Sequence, residues 1–81
     1  MKPKIISVKA TSNYKLCLKY ETGEIRVFDV MPYIKGNWYS ELQNQSYFRA
    51  VRLLEDRSGI EWPRGQDIAP HELYELSLPA Q

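Results

Sequence analysis

Asp67 and His71 stand four positions apart in GIEWPRGQDIAPHELYE, residues 59–75, and they are the residues in this chain whose types could most readily do chemistry together. A carboxylate that orients an imidazole is half of an acid–base machine, and Cys17, the only cysteine, would be the nucleophile for it to activate. The spacing argues otherwise. Pro70 suits the first turn of a helix, so His71 falls at a helix N-terminus, where the dipole disfavours the imidazolium. The sequence places no serine or cysteine to receive help from it, and Asp67 reads as a residue that closes a turn through its side-chain oxygen. One histidine and one cysteine do not make a zinc ligand set, and Cys17 reads as a small apolar residue on a strand. No catalytic, metal-binding or cofactor-binding residue is assigned, and the chain reads as a non-enzyme. Glycine-rich phosphate loops, nucleophile elbows and helix-turn-helix patterns are likewise missing from the sequence.

Binding is the chemistry that is left. Lys4, Lys9, Lys15, Lys19 and Arg26 are expected to gather on the outer face of a sheet and meet phosphates there, with Tyr14 or Tyr20 near enough to stack on bases. Glu21 and Glu24 dilute that patch, which reads first as a solvated face. Between positions 33 and 48 aromatic residues accumulate. Tyr33, Trp38, Tyr39 and Tyr47 are the candidate contacts for a protein partner or a second copy, because interfaces are enriched in Trp and Tyr. The leading expectation is a protein-interaction or regulatory module that uses this segment and an exposed sheet edge. The alternative is a nucleic-acid-binding regulator that uses the basic sheet face.

The elements that must position these residues follow from hydrophobic periodicity. Ile6 and Val8, then Tyr14, Leu16, Leu18 and Tyr20, then Ile25 and Val27 recur at every second position, which places them on one face of a pleated ribbon. A two-residue loop at Thr22-Gly23 would set Tyr20 opposite Ile25, Leu18 opposite Val27 and Leu16 opposite Asp29, with Arg26 on the other face beside Lys19. From residue 31 to 50 the periodicity is lost and short helical turns are expected, with Ser40 and Ser46 opening two of them and Phe48 and Val51 turned inward. VRLLE and GIEW form a second hairpin around DRSG, with Leu53 opposite Trp62. Trp62 ends a strand, Pro63 stops its ladder, Gly65 takes a positive φ, and a helix from Pro70 turns Leu73 and either Leu76 or Ser77 inward. The fold class is α+β: an antiparallel three-stranded meander, a short helical connection, a second β-hairpin and a C-terminal helix packed on the sheet.

Composition sets the limits. At 81 residues the chain is read as a single domain over positions 1–78 with a frayed end at 79–81. With 43% hydrophobic and 26% charged residues it is expected to hold a packed core. A net charge of +1 supplies no global field toward nucleic acid or anionic membrane. A lone cysteine points to a cytoplasmic location, and no stretch reads as a signal peptide or as a bilayer span.

IISVKATSNYKLCLKYETGEIRVFDVMPYI and YFRAVRLLEDRSGIEWPRGQDIAPHELYE together resemble the bacterial family known as domain of unknown function 2442, over nearly everything from position 5 to 75. The resemblance implies three strands, a helical connection, a second hairpin and a final helix. Some relatives look fused to a helix-turn-helix domain, and others resemble members of toxin–antitoxin-like gene pairs, which together imply regulation through binding. Trp62, Gly65 and Asp67 match the family's ending, and the resemblance implies an architectural role for them. Thr22-Gly23 replaces the family's more usual Asn-Gly, and Ala69 precedes Pro70 where an aspartate is more typical, so the last helix is expected to lack its side-chain cap.

Overall fold

The computed structural model describes residues 3–80. Along it run β1 (Ile5–Thr11), β2 (Lys15–Tyr20), β3 (Ile25–Asp29), α1 (Gly36–Tyr39), α2 (Gln45–Phe48), β4 (Arg52–Leu53), β5 (Ile60–Glu61), β6 (Asp67–Ile68), α3 (Pro70–Glu75) and β7 (Leu78–Pro79). Single 3₁₀ turns lie at Ser12–Tyr14, Met31–Tyr33 and Ser40–Gln43. The strands form two antiparallel sheets, one ordered β1-β2-β3-β7 and the other β4-β5-β6. The expected α+β architecture is present: meander, helical connection, second hairpin and final helix. Two strands are added to it, β6 and β7.

One core joins both sheets. Ile5, Leu16, Leu18, Tyr20 and Phe28 from the inner face of the larger sheet meet Val30, Leu42, Phe48, Ile60, Trp62, Ile68 and Leu73. Burying each such side chain favours folding by about 1.5–3 kcal/mol. The helix α3 closes the core with Leu73, and its Tyr74 ring meets Tyr20 edge-on at 5.2 Å. Its inward residue near the end is Ser77, whereas Leu76 is 62% exposed. As expected, Ala69 gives α3 no side-chain cap.

The register of the first hairpin corrects the sequence reading. Leu16 pairs with Phe28, Cys17 with Val27 and Leu18 with Arg26, so Leu18 and Val27 point to opposite faces. The loop holds three residues, not two. The Tyr20 amide donates to the Glu24 carbonyl at 2.9 Å, the Gly23 amide donates to the Tyr20 carbonyl at 2.9 Å, and Gly23 takes φ +95°. This is a tight turn closed by a left-handed glycine. A two-residue loop would need positive φ at Thr22, which a β-branched residue resists. The shift sends Arg26 inward and Ile25 and Val27 outward, and hydrophobic parity cannot see it because the inward arginine is neutralised by tertiary partners. Its Nε donates to Ser77 Oγ at 2.6 Å, an Nη donates to the Ser77 carbonyl at 2.8 Å, and Glu24 lies 3.2 Å away. The guanidinium also covers the Tyr74 ring at 4.8 Å. At the start of β1 an irregularity between Ile5 and Ser7 buries Ile5 and leaves Ile6, expected inward, 41% exposed.

Three smaller corrections follow. The second hairpin turns through residues 55–58, one position earlier than expected, so that Leu53 faces Ile60 and not Trp62. Asn44, not Ser46, opens α2, accepting from the Ser46 and Tyr47 amides at 2.9 and 3.3 Å. The end expected to fray joins the sheet instead: Leu78 and Pro79 pair with Val27 and Arg26, and the Ala80 amide donates to the Ile25 carbonyl at 2.8 Å. Gln81 lies outside the described residues.

Candidate functional site

The aromatic segment is the first place to look for an interface, and most of it faces the protein's own fold. The Tyr33 hydroxyl donates to Glu72 Oε1 at 2.6 Å, that of Tyr39 to the Asp67 carbonyl at 2.9 Å, and that of Tyr47 to Gln66 Oε1 at 2.6 Å. All three rings are half-buried. Burial, and after it the bond to Glu72 with its charge, pushes the Tyr33 hydroxyl up to about 12. Burial also raises Tyr39, helped by the charges of Asp67 and Glu72. These tyrosines tie the helical connection to β6 and α3. Trp38 differs, for its side chain is 53% exposed.

The 59–75 stretch contains a buried lock. Trp62 starts a turn of the same kind as the first: its amide donates to the Gln66 carbonyl at 2.9 Å, the Gly65 amide donates to the Trp62 carbonyl at 2.8 Å, and Gly65 takes φ +104°. Pro63 occupies the position where its fixed φ helps such a turn, and the chain continues into β6. The fully buried Trp62 donates Nε1–H to the Phe48 carbonyl at 2.9 Å. Gln66, also fully buried, was missed by the sequence reading. It accepts from Tyr47 and donates to the Trp38 carbonyl at 3.0 Å and to Glu41 Oε1 at 3.1 Å. Tyr47 Oη in turn accepts from the Arg64 amide at 2.8 Å, and the Arg64 side chain meets Glu41 at 3.0 Å. A glutamine between a turn and a strand carries no signal of burial, and its partners lie in α1, α2 and the 3₁₀ turn between them. Trp62 and Gly65 serve architecture here. Asp67 and His71 are both exposed, Asp67 in β6 and His71 in the first turn of α3. Among the described residues no group of three or more His, Cys, Asp or Glu is arranged to hold a metal ion.

The outer face of the larger sheet is divided into two halves. On the β1–β2 half, Lys9 lies across from Cys17, which Lys15 and Lys19 flank along β2, and the lysines are exposed. On the β3–β7 half, Ile25 and Val27 stand beside Leu78. Arg26, expected on this face, is on the other. Tyr14 and Tyr20, expected to serve bases here, are turned away: the Tyr14 hydroxyl donates to the Gln43 carbonyl at 2.6 Å with its ring edge-on to Phe48, and Tyr20 is buried. Lys4 is drawn to the sheet's end, where its Nζ donates to the Asp56 carbonyl at 3.2 Å.

The apolar half continues around the sheet's edge. Ile25, Met31, Leu76 and Leu78 are 44%, 49%, 62% and 70% exposed. Where β7 stops short, Phe28, Asp29, Pro32, Tyr33 and Leu76 border a groove of about 320 Å³. Ile25 and Leu78, on neighbouring strands with the half-buried Val27 between them, form an exposed apolar patch, and such patches mark interaction sites.

Two small antiparallel sheets around one core, a tyrosine–glutamine lock and an open sheet face define a compact α+β domain whose outward chemistry is that of a surface. The chain belongs to the family described as Protein of unknown function (DUF2442), whose model matches residues 5–79. No curated protein and no solved structure matches it. No helix among the described residues is long and apolar enough to cross a membrane.

Proposed function

We propose that this chain is a non-enzymatic binding module that docks a protein partner along the β3–β7 side of its larger sheet. One observation carries the reading: Ile25 and Leu78 stand exposed on the β3–β7 half of the outer face and Leu76 stands exposed at the groove beside Phe28, while the tyrosines of the helical connection spend their hydroxyls inside the fold. Asp67 and His71 are both exposed and no hydrogen bond joins them among the described residues, so neither orients the other for proton transfer, which supports a non-enzymatic role. A cytoplasmic setting is part of the reading and rests on the single unpaired Cys17. The regulatory role, as one half of a toxin–antitoxin-like pair, would be exercised through the same surface.

The test compares the tagged wild-type chain with Leu78→Asp, purified side by side from cells that express it naturally. Leu78 is exposed, so the variant should melt at the wild-type temperature. A stoichiometric partner that elutes with the wild type and is lost from Leu78→Asp is the expected result. Equal recovery by both chains, or a wild-type chain that elutes alone as a monomer, overturns the reading.

A further inference from the structure

The partner's chemistry can be read from the same face, an inference that rests on the docking surface just described. Strand addition is disfavoured along the β7 edge of the larger sheet and at the start of the β1 edge. On β7 the Ala80 amide points at Ile25, so the alternating backbone of Pro79 points outward, where proline has no N–H to offer an incoming strand. On β1 the Ile5 amide already donates to the Arg57 carbonyl at 2.9 Å, and β4 lies alongside. A partner must therefore engage the face with side chains from an element whose own backbone bonds are already made.

The face itself is two parallel strips. Ile25 and Val27, with Leu78 beside them, form the apolar strip. Lys15 and Lys19, with Lys9 one strand further out, form the basic one. Asp29 at one corner is an acidic side chain on this face, and its Oδ1 is engaged by the Met31 amide at 3.0 Å. A strip of phosphates would satisfy the lysines and leave the apolar strip against water. A purely apolar partner would strand the lysines.

We infer that the natural occupant is an amphipathic helix of another protein, its apolar stripe lying on Ile25, Val27 and Leu78 and a flanking row of Asp or Glu lying on Lys15, Lys19 and Lys9. The apolar strip supplies affinity, and the charge row fixes orientation and speeds encounter.

Cys17, the chain's only cysteine, lies within the basic strip between Lys15 and Lys19, across from Val27 of the apolar strip, and reports their occupancy through its rate of alkylation. Three probes are used on the full chain: a leucine-striped helical peptide with glutamates along one flank, the same peptide with lysines in their place, and duplex DNA. The glutamate peptide should slow alkylation at least about fivefold at low salt, lose most of that protection at high salt, and outdo the lysine peptide. The double variant Lys15→Glu, Lys19→Glu should reverse the preference. Equal protection by both peptides, no protection by either, or protection by DNA alone overturns the inference. Because partner loss in Leu78→Asp is scored without these probes, a failed peptide with a released natural partner removes only the charge assignment. Equal recovery by Leu78→Asp removes the docking surface itself.

Discussion

Residues 20–24 and 62–66 build the same turn twice, YETGE and WPRGQ: a buried aromatic, two loop residues, a glycine with positive φ, and a Glu or Gln that returns the chain to the sheet. The backbone bonds agree within 0.1 Å, at 2.9 and 2.9 Å in the first turn and 2.9 and 2.8 Å in the second. Their surroundings do not agree. The first turn joins strands of six and five residues, whose long ladder continues from it, and a Cβ on Gly23 would meet nothing within 4 Å. The second joins strands of only two residues and is fixed by Trp62, Gln66 and Tyr47 from inside. Glu24 sits partly in water and takes the Tyr74 hydroxyl at 2.8 Å, a bond that, ahead of the Thr22 hydroxyl and Arg26, holds its carboxyl below the usual range. Gln66, at the matching position, is sealed. A local turn code can be reused, and what holds it is chosen by its neighbours.

The largest expected effect breaks the second turn and spares the first. Trp62→Ala should destabilise the domain by about 3–5 kcal/mol, through a cavity and the lost indole bond to the Phe48 carbonyl, a large part of what a small domain has. Urea denaturation measures it, and a loss below about 1 kcal/mol would mean that the short strands hold the turn themselves. Next, Gly23→Ala and Gly65→Ala should each cost about 1–2 kcal/mol, because the penalty for positive φ is local. The added methyl at Gly65 meets the Trp38 ring at 4.0 Å, an ordinary contact. A Gly65 cost several times that of Gly23 would show that Trp38 packing, and not backbone conformation, dominates there.

The smallest effect separates the two aromatics that open the turns. Trp62 has its partner, whereas the buried Tyr20 hydroxyl has no hydrogen-bond partner among the described residues. Tyr20→Phe should therefore stabilise the fold, by up to about 1 kcal/mol. Burial pushes the Tyr20 hydroxyl up to about 12, above the unfolded value near 10. The folded state then holds the proton more tightly, so the stabilisation is fully present below pH ~10 and is lost as the pH rises toward the folded value. Tyr20→Phe should flatten that alkaline decline, leaving the part due to Tyr33 and Tyr39. Urea midpoints across this range that superimpose for wild type and variant would place the Tyr20 hydroxyl in contact with solvent.

The positions of the two glycine turns, the strands β1 to β5, the helix from Pro70 and the family were legible in the sequence, because each rests on residues near one another in the chain. Gly23 and Gly65 needed positive φ, Pro70 suited a first helical turn, and alternating residues marked β2 and β3. The facing of β3 was not legible. Counting polarity put Val27 inside and Arg26 outside, and the reverse holds because Ser77, 51 positions away, and Tyr74 receive the guanidinium.

The candidate surface followed the same rule. Tyr33, Tyr39 and Tyr47, the contacts expected for a partner, give their hydroxyls to Glu72, Asp67 and Gln66, while Leu76 and Leu78 became a surface once the chain end joined β3. Sequence alone determined where the longer strands, the glycine turns and the last helix lie, since φ and ψ preferences and alternating polarity act over a few residues. The tertiary structure alone decided which side chains meet water, because burial of a charge or a hydroxyl depends on a partner brought from far along the chain.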